Sequence, residues 1–239
     1  MKRRRQVCLF GTSANPPTGD GGHKGIVKAL SQTLGDRFDE IRVLPVYRHT
    51  FARKRNILAS YEHRMNMCRC AFENIPKIVV SNAEHKSFQR MAAKLEMKNE
   101  EEIQALRVGT ADLLDMLLEE EPDTDFSFCM GSDTFMDLTA WKWRRSKDVL
   151  KLLDGRLIVL ERKGMTGNDQ LRKRIATVNA TDGRGNVFLL EIPSLQEVSS
   201  SSVRSLGEED KLSYMVTPDV LAYMKKHRLY SFGDDNGND

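Results

Sequence analysis

The sequence predicts an α/β protein: a doubly wound parallel sheet with helices on both faces, in one domain over residues 1–232. Three observations predict it. Six short apolar runs have the character of strands. Between them lie stretches whose apolar residues recur every three or four positions, as on one face of a helix. The chain has 239 residues, 40 % of them hydrophobic, which suits one α/β domain with a buried core. Strands separated by helices pair in parallel. Ligands of such sheets bind outside the carboxyl ends of the strands, where strand order reverses. The loops that follow strands are therefore where chemistry is expected.

Each element has its own signal. Gln6-Val-Cys-Leu-Phe10 is the first strand, and a Gly/Pro-rich turn, Gly11 to Gly22, follows it. His23 to Leu34 carries a helical pattern, with Ile26, Ala29, Leu30 and Leu34 on one face. Glu40 to Pro45 is the second strand. Ser60 is an N-cap for a helix with Tyr61, Met65, Cys68, Ala71 and Phe72 on one face. Lys77 to Ser81 is the third strand, and Asn82 to Arg107 is polar and helical in tone. Thr110 opens a helix carrying Leu113, Leu114, Leu117 and Leu118. Phe126–Met130, Gly155–Glu161 and Val187–Ile192 complete the strands. Thr217-Pro218-Asp219 starts the last helix, with a cap, a proline in the first turn and an acid at the positive pole. Residues 233–239 are Gly, Asp and Asn, the composition of a disordered tail.

Composition narrows the function. The formal net charge is +3, with 30 % charged residues interspersed along the chain. A polymeric nucleic acid would call for a basic stripe, which is missing. No apolar run approaches the ~20 residues needed to span a bilayer. The basic lead-in, Met1 to Gln6, is followed by no long apolar core, so it does not read as a secretory signal. It reads as a solvated approach to the first strand, and a short nuclear signal stays open. Cys8, Cys68, Cys70 and Cys129 form no C-x-x-C pair and are expected to be reduced packing residues. An intracellular, cytoplasmic or nuclear, protein is the expectation.

Two loops carry phosphate chemistry. The first, Gly11-Thr-Ser-Ala-Asn-Pro-Pro-Thr-Gly-Asp-Gly-Gly-His23, joins the first strand to the first helix. Glycines allow close backbone approach, successive amides form anion-binding concavities, and the helix adds its positive end. The loop lacks both G-x-x-x-x-G-K-[ST] and a good G-x-G-x-x-G spacing, which removes support for a P-loop hydrolase and a dinucleotide dehydrogenase. The second loop, Val198-Ser-Ser-Ser-Ser-Val-Arg204, follows the sixth strand. Its hydroxyls and amides at a helix start, with Arg204 one turn in, suit phosphate oxygens.

In these residues the sequence resembles the nucleotidyltransferase superfamily bearing the His-x-Gly-His signature. Gly11, Thr12, Asn15, Pro16, Gly22 and His23 fit the first signature, although Thr18 stands where its first histidine is expected. Val198 to Arg204 resembles its second, I-S-S-T-x-I-R. Gly131-Ser-Asp133 to Leu138, with Trp141 beyond, is similar to a segment of the nicotinate and nicotinamide mononucleotide adenylyltransferases. Arg64, Arg107 to Leu113 and Val216 to Tyr230 fit the same family.

The resemblance implies a Rossmann-like sheet and an enzyme of NAD biosynthesis. It would transfer the adenylyl group of ATP to a pyridine mononucleotide and release pyrophosphate. It implies catalytic roles for His23 and Arg204. ATP phosphates would meet Gly11, Thr12, Thr18, Gly22, Ser199, Ser200 and Ser201, and Asp133 would bind the adenosine ribose. Ser13, Thr110, Trp141 and Lys54 would form the pyridine side, with Trp141 stacking on the ring and Trp143 its competitor. Arg64 reads as structural. Mg²⁺ would bridge phosphate oxygens and keep most of its waters, with no dedicated carboxylate cage and Asp20 serving the turn. The expected partners are ATP and the mononucleotide, with no nucleic acid polymer and no membrane; a homo-oligomer stays open. Another phosphorylated acceptor, or a non-catalytic nucleotide-binding protein, are the alternatives.

Overall fold

The computed structural model describes residues 3–48, 58–162, 168–182, 186–192, 198–206 and 208–233. Strand β1 (Arg5–Thr12) leads to helix α1 (His23–Leu34), β2 (Glu40–Pro45), α2 (Tyr61–Phe72) and β3 (Ile78–Val80). Three helices follow on one stretch of chain: α3 (Ala83–Lys94), α4 (Glu100–Ala105) and α5 (Thr110–Glu120). Then come β4 (Thr124–Gly131), α6 (Ser132–Thr139), α7 (Ser146–Leu152), β5 (Leu157–Arg162), α8 (Asn168–Asp182) and β6 (Val187–Ile192). The chain closes with α9 (Ser200–Ser205), α10 (Glu209–Met215), α11 (Pro218–Lys226) and a 3₁₀ turn, Tyr230–Phe232.

The six strands form one sheet in the order β3-β2-β1-β4-β5-β6, and every neighbouring pair is parallel. Phe10 of β1 stands beside Val43 of β2 and Cys129 of β4, so the central strands are in step. Strand order reverses between β1 and β4. Crossovers run outward from β1 in one direction and from β4 in the other. Their carboxyl ends diverge and leave a crevice there.

Side chains alternate across the sheet and build a core on each face. On one face Cys8, Phe10, Ile41, Val43 and Cys129 pack against Val27 and Leu30 of α1, Met67 and Phe72 of α2, and Val220 and Met224 of α11. On the other, Val7, Leu9, Phe126, Phe128 and Val159 pack against Leu113, Leu114 and Leu117 of α5 and Phe135 and Leu138 of α6. Burying each such side chain contributes roughly 1.5–3 kcal/mol. All four cysteines are free, and burial pushes the thiols of Cys8, Cys68 and Cys129 well up, which keeps them unreactive.

The helix starts follow from their caps. Ser60 accepts a hydrogen bond from His63 N–H, and Thr217 from Val220 N–H. The polar stretch from Asn82 breaks into two helices. Leu95 ends the first, Glu96 turns left-handed (φ 50°), and Asn99 caps the second by accepting from Glu102 N–H at 2.8 Å. The tail beyond Gly233 lies outside the described residues. Among the described residues no helix is long and apolar enough to cross a membrane.

Candidate active site

The first loop begins where β1 ends. Gly11 and Thr12 are still in the ladder: Gly11 pairs with Leu44, and Thr12 O accepts from Val46 N–H at 2.9 Å. A Cβ on Gly11 would lie 3.2 Å from the Phe128 ring, so this glycine has a packing role. Ala14 then turns left-handed (φ 46°), and the Asn15-Pro16 bond is cis. Gly19 N–H donates to Met215 O at 2.8 Å, which ties the loop to the end of α10. Gly22 sits where a Cβ would meet Thr18 Oγ1 at 2.1 Å, so only glycine lets the loop close on itself.

That closure fixes His23. Its Nδ1 accepts from the Thr18 amide at 3.1 Å and lies 2.7 Å from Thr18 Oγ1, while His23 N–H donates to the same hydroxyl at 2.9 Å. An amide nitrogen can only donate. Nδ1 must therefore be unprotonated, and the ring hydrogen sits on Nε2. Burial pushes this imidazole down to about 4, so His23 is a neutral donor near pH 7. Its Nε2 makes no hydrogen bond to the protein among the described residues.

Thr18, expected on a phosphate oxygen, is 0 % exposed, and its hydroxyl faces His23: it lies 2.7 Å from Nδ1 and accepts from His23 N–H. Standing where a first histidine would be, Thr18 orients the second.

The second loop lies on the first. Ser200 Oγ donates to Pro16 O at 2.7 Å, and Arg204 Nη1 donates to Asn15 O at 2.6 Å. Arg204 Nη2 donates to Ser201 Oγ at 3.2 Å. Ser199 caps α9 by accepting from Ser202 N–H at 3.1 Å. His23 and Arg204 thus hold one short segment, Asn15 to Thr18, from opposite ends. Asn15 is itself a junction: its Oδ1 accepts from Ala59 N–H at 2.9 Å and from Tyr230 Oη at 2.8 Å.

Arg64 is structural, as read. It is 1 % exposed and donates to four carbonyls: Ala59, Ser13, Val46 and Tyr47, at 2.7–3.3 Å. It sets the mouths of the β1 and β2 loops against the start of α2. Its contact with the Ser13 carbonyl holds Ser13 at the rim.

The remaining residues divide by surface and chain position. Thr110 is half-buried in the first turn of α5. Trp141 is 55 % exposed and left-handed (φ 62°), with Lys147 Nζ 5.7 Å from its ring centroid. Trp143 is half-buried against the core of that face, so Trp141 is the more exposed of the two. Asp133 is exposed in the first turn of α6. Lys54 lies outside the described residues.

Sequence reading did not single out Glu84 or the cavity at the carboxyl end of β2. Tyr47, Arg48, Leu58, Ala59, Tyr61, Arg64 and Gln104 line a cavity of about 320 Å³. Beside it Glu84 accepts from the Tyr47 amide, and burial pushes its carboxyl up to about 7 against the pull of that amide and of Arg64. An acid in the first turn of a helix directly after a strand was the available signal. A carboxyl raised in the folded state favours folding below its ordinary value of about 4.5 and loses that contribution as pH rises through about 7. Glu84→Gln is therefore expected to stabilise the protein at pH 8, by up to about 3 kcal/mol, and to change nothing near pH 4. Thermal melts across that pH range check this. Equal shifts at both ends would show that the Glu84 charge carries no cost.

Three comparisons bear on this site. The family described as cytidylyltransferase-like matches residues 9–206. A protein named probable nicotinate-nucleotide adenylyltransferase from Streptococcus pneumoniae serotype 4 is 26 % identical, over 96 % of this chain and 90 % of its own length. One of the same name from Myxococcus xanthus is 27 % identical over 96 % and 97 %. The solved structure of Plasmodium falciparum nicotinic acid mononucleotide adenylyltransferase, complexed with NaAD, shares the fold: TM-score 0.68, 21 % identity, 95 % of this chain and 98 % of that one.

Proposed function

The chain belongs to the cytidylyltransferase-like family, and from that premise we propose that it transfers the adenylyl group of ATP to a pyridine mononucleotide, yielding the dinucleotide and pyrophosphate. The observation that carries the reading is the convergence of two distant loops on Asn15 to Thr18, with a neutral imidazole donor at one end and a guanidinium at the other. The names of the relatives that match nearly the whole chain favour nicotinate mononucleotide as the acceptor.

In this mechanism an oxygen of the acceptor phosphate attacks the α-phosphorus in line. The bond from that phosphorus to the bridging oxygen breaks, and pyrophosphate leaves with the electron pair. The acceptor is already anionic, so no protein nucleophile is needed. Positioning and charge stabilisation do the rest. His23 donates Nε2–H to a phosphate oxygen on which negative charge grows. Arg204 supplies the positive charge that the neutral imidazole lacks. Ser199, Ser200 and Ser201 receive the β- and γ-phosphates with Gly22, and Gly11 and Thr12 bring the end of β1 beside the nucleotide. Asp133 binds the adenosine ribose. Trp141 stacks on the pyridine ring beside Thr110, with Ser13 and Lys54 on the same side.

Mg²⁺ would come in on the triphosphate. Among the described residues no three His, Cys, Asp or Glu gather to hold a metal, and Asp20 of the first loop is paired with Lys28 at 2.6 Å. The donor set therefore fits an ion held by phosphate oxygens and water, where it would neutralise phosphate charge.

A pyrophosphate-release assay tests the proposal, with ATP or CTP against nicotinate mononucleotide, nicotinamide mononucleotide and a panel of other phosphorylated acceptors. Release is expected with ATP plus a pyridine mononucleotide. Release only with another acceptor, or none at all, overturns it.

A further inference from the structure

We propose that Asp112 is a positioning residue for the acceptor: it locks the start of α5 to the Trp141 loop and so sets the width of the pyridine slot. This deepens the transferase reading and rests on it.

Asp112 stands in the first turn of α5, where a carboxylate ordinarily caps its own helix. It does so, accepting from Gly109 N–H at 2.8 Å. Yet its side chain is 4 % exposed and also carries two arginines from beyond Trp141. Arg145 Nη1 donates to Oδ1 at 3.0 Å, and Arg144 Nη2 donates to Oδ2. Arg145 also holds Asp115 at 2.8 Å and Asp148 at 2.7 Å. The segment it anchors is strained: both Trp141 and Arg145 are left-handed, at φ 62° and 59°. Non-glycine residues persist there only where their surroundings over-determine them.

A merely structural reading does not require this arrangement. Capping alone needs one oxygen and no arginine. The two arginine side chains are themselves 56 % and 36 % exposed, so they do not serve to seal the core. What the carboxylate joins are the first turn of α5, which carries Thr110, and the stretch just beyond Trp141, the two segments assigned above to the pyridine side. Among the described residues, the side-chain bonds of Asp112, Arg144 and Arg145 run to Gly109, Asp115 and Asp148 and to one another. The two halves of the site therefore separate: Asp112 governs the acceptor, and His23 with Arg204 governs the phosphates.

Asp112→Asn keeps an oxygen for Gly109 N–H and removes the charge that holds both arginines. It is expected to raise KM for the mononucleotide roughly ten-fold, inside the ~10²-fold that a 1 Å misplacement can cost. KM for ATP should stay within about two-fold. Arg145→Ala, which removes one of the two arginines from the carboxylate, is expected to shift the same constant in the same direction, with circular dichroism checking that the fold persists. Quenching of tryptophan fluorescence by the mononucleotide alone should weaken in both variants. If both KM values rise together, or neither moves, the assignment of Asp112 is overturned while the transferase reading stands. If the wild-type chain releases no pyrophosphate, both fall.

Discussion

His23→Ala lowers turnover by at least ~10²-fold, the scale for losing one preorganised donor to a charge that grows in the transition state. The expectation follows from how completely the ring is fixed. Its Nδ1 faces an amide that can only donate, so the useful hydrogen is on Nε2 at every pH where the fold persists. The ring does not need to be charged, since burial keeps its proton affinity down at about 4. Between pH 5 and 8 the rate should therefore show no inflection from His23. The substitution also leaves the Thr18 amide without its acceptor, a cost of about 1–3 kcal/mol. Melting temperature falls somewhat, and circular dichroism stays native. Steady-state kinetics with purified protein make the measurement. Near-normal turnover would remove His23 from the mechanism.

Arg204→Ala is expected to lower kcat/KM for ATP by about 10²-fold as well, for a different reason. The guanidinium is the charge that complements a neutral imidazole, and charge-assisted bonds to phosphate are about twice as strong as neutral ones. It also pins α9 to the first loop through Asn15 O. Arg204→Lys should recover little. A lysine presents one point charge and cannot hold Asn15 O and Ser201 Oγ while offering a fork to phosphate. Full activity of the lysine variant would mean that charge alone matters and that the bridging geometry does not.

Much of the fold could be read from the sequence because its signals are local. Apolar runs of five to seven residues marked all six strands, and caps such as Ser60 and Thr217 marked helix starts within a residue. The break at Glu96 could not be read, because a left-handed glutamate has no signature of the kind glycine provides. The candidate site divided the same way. The two loops and their order were visible as chemistry. Whether they met was not, since the bonds joining them span 184 and 189 residues. The contact of the Thr18 hydroxyl with the imidazole five residues on could not be read either, because a hydroxyl beside a glycine-rich turn suits a phosphate equally well. Asp112 was invisible for a related reason: an acid in a helix's first turn looks like a solvated cap until two arginines arrive from 32 and 33 residues away.

The bond from Tyr230 to Asn15 has a consequence in time. It joins residues 215 apart in sequence. Contacts of such separation form late, because the chain between them must first be ordered. On the ribosome, the sheet has all six strands by Ile192, while Asn15 still waits for its last partner to emerge. A chain that has emerged as far as Ile192 can therefore hold its sheet before the Asn15 junction is closed by Tyr230. The loop that reads first in the sequence is among the last parts of the molecule to be completed.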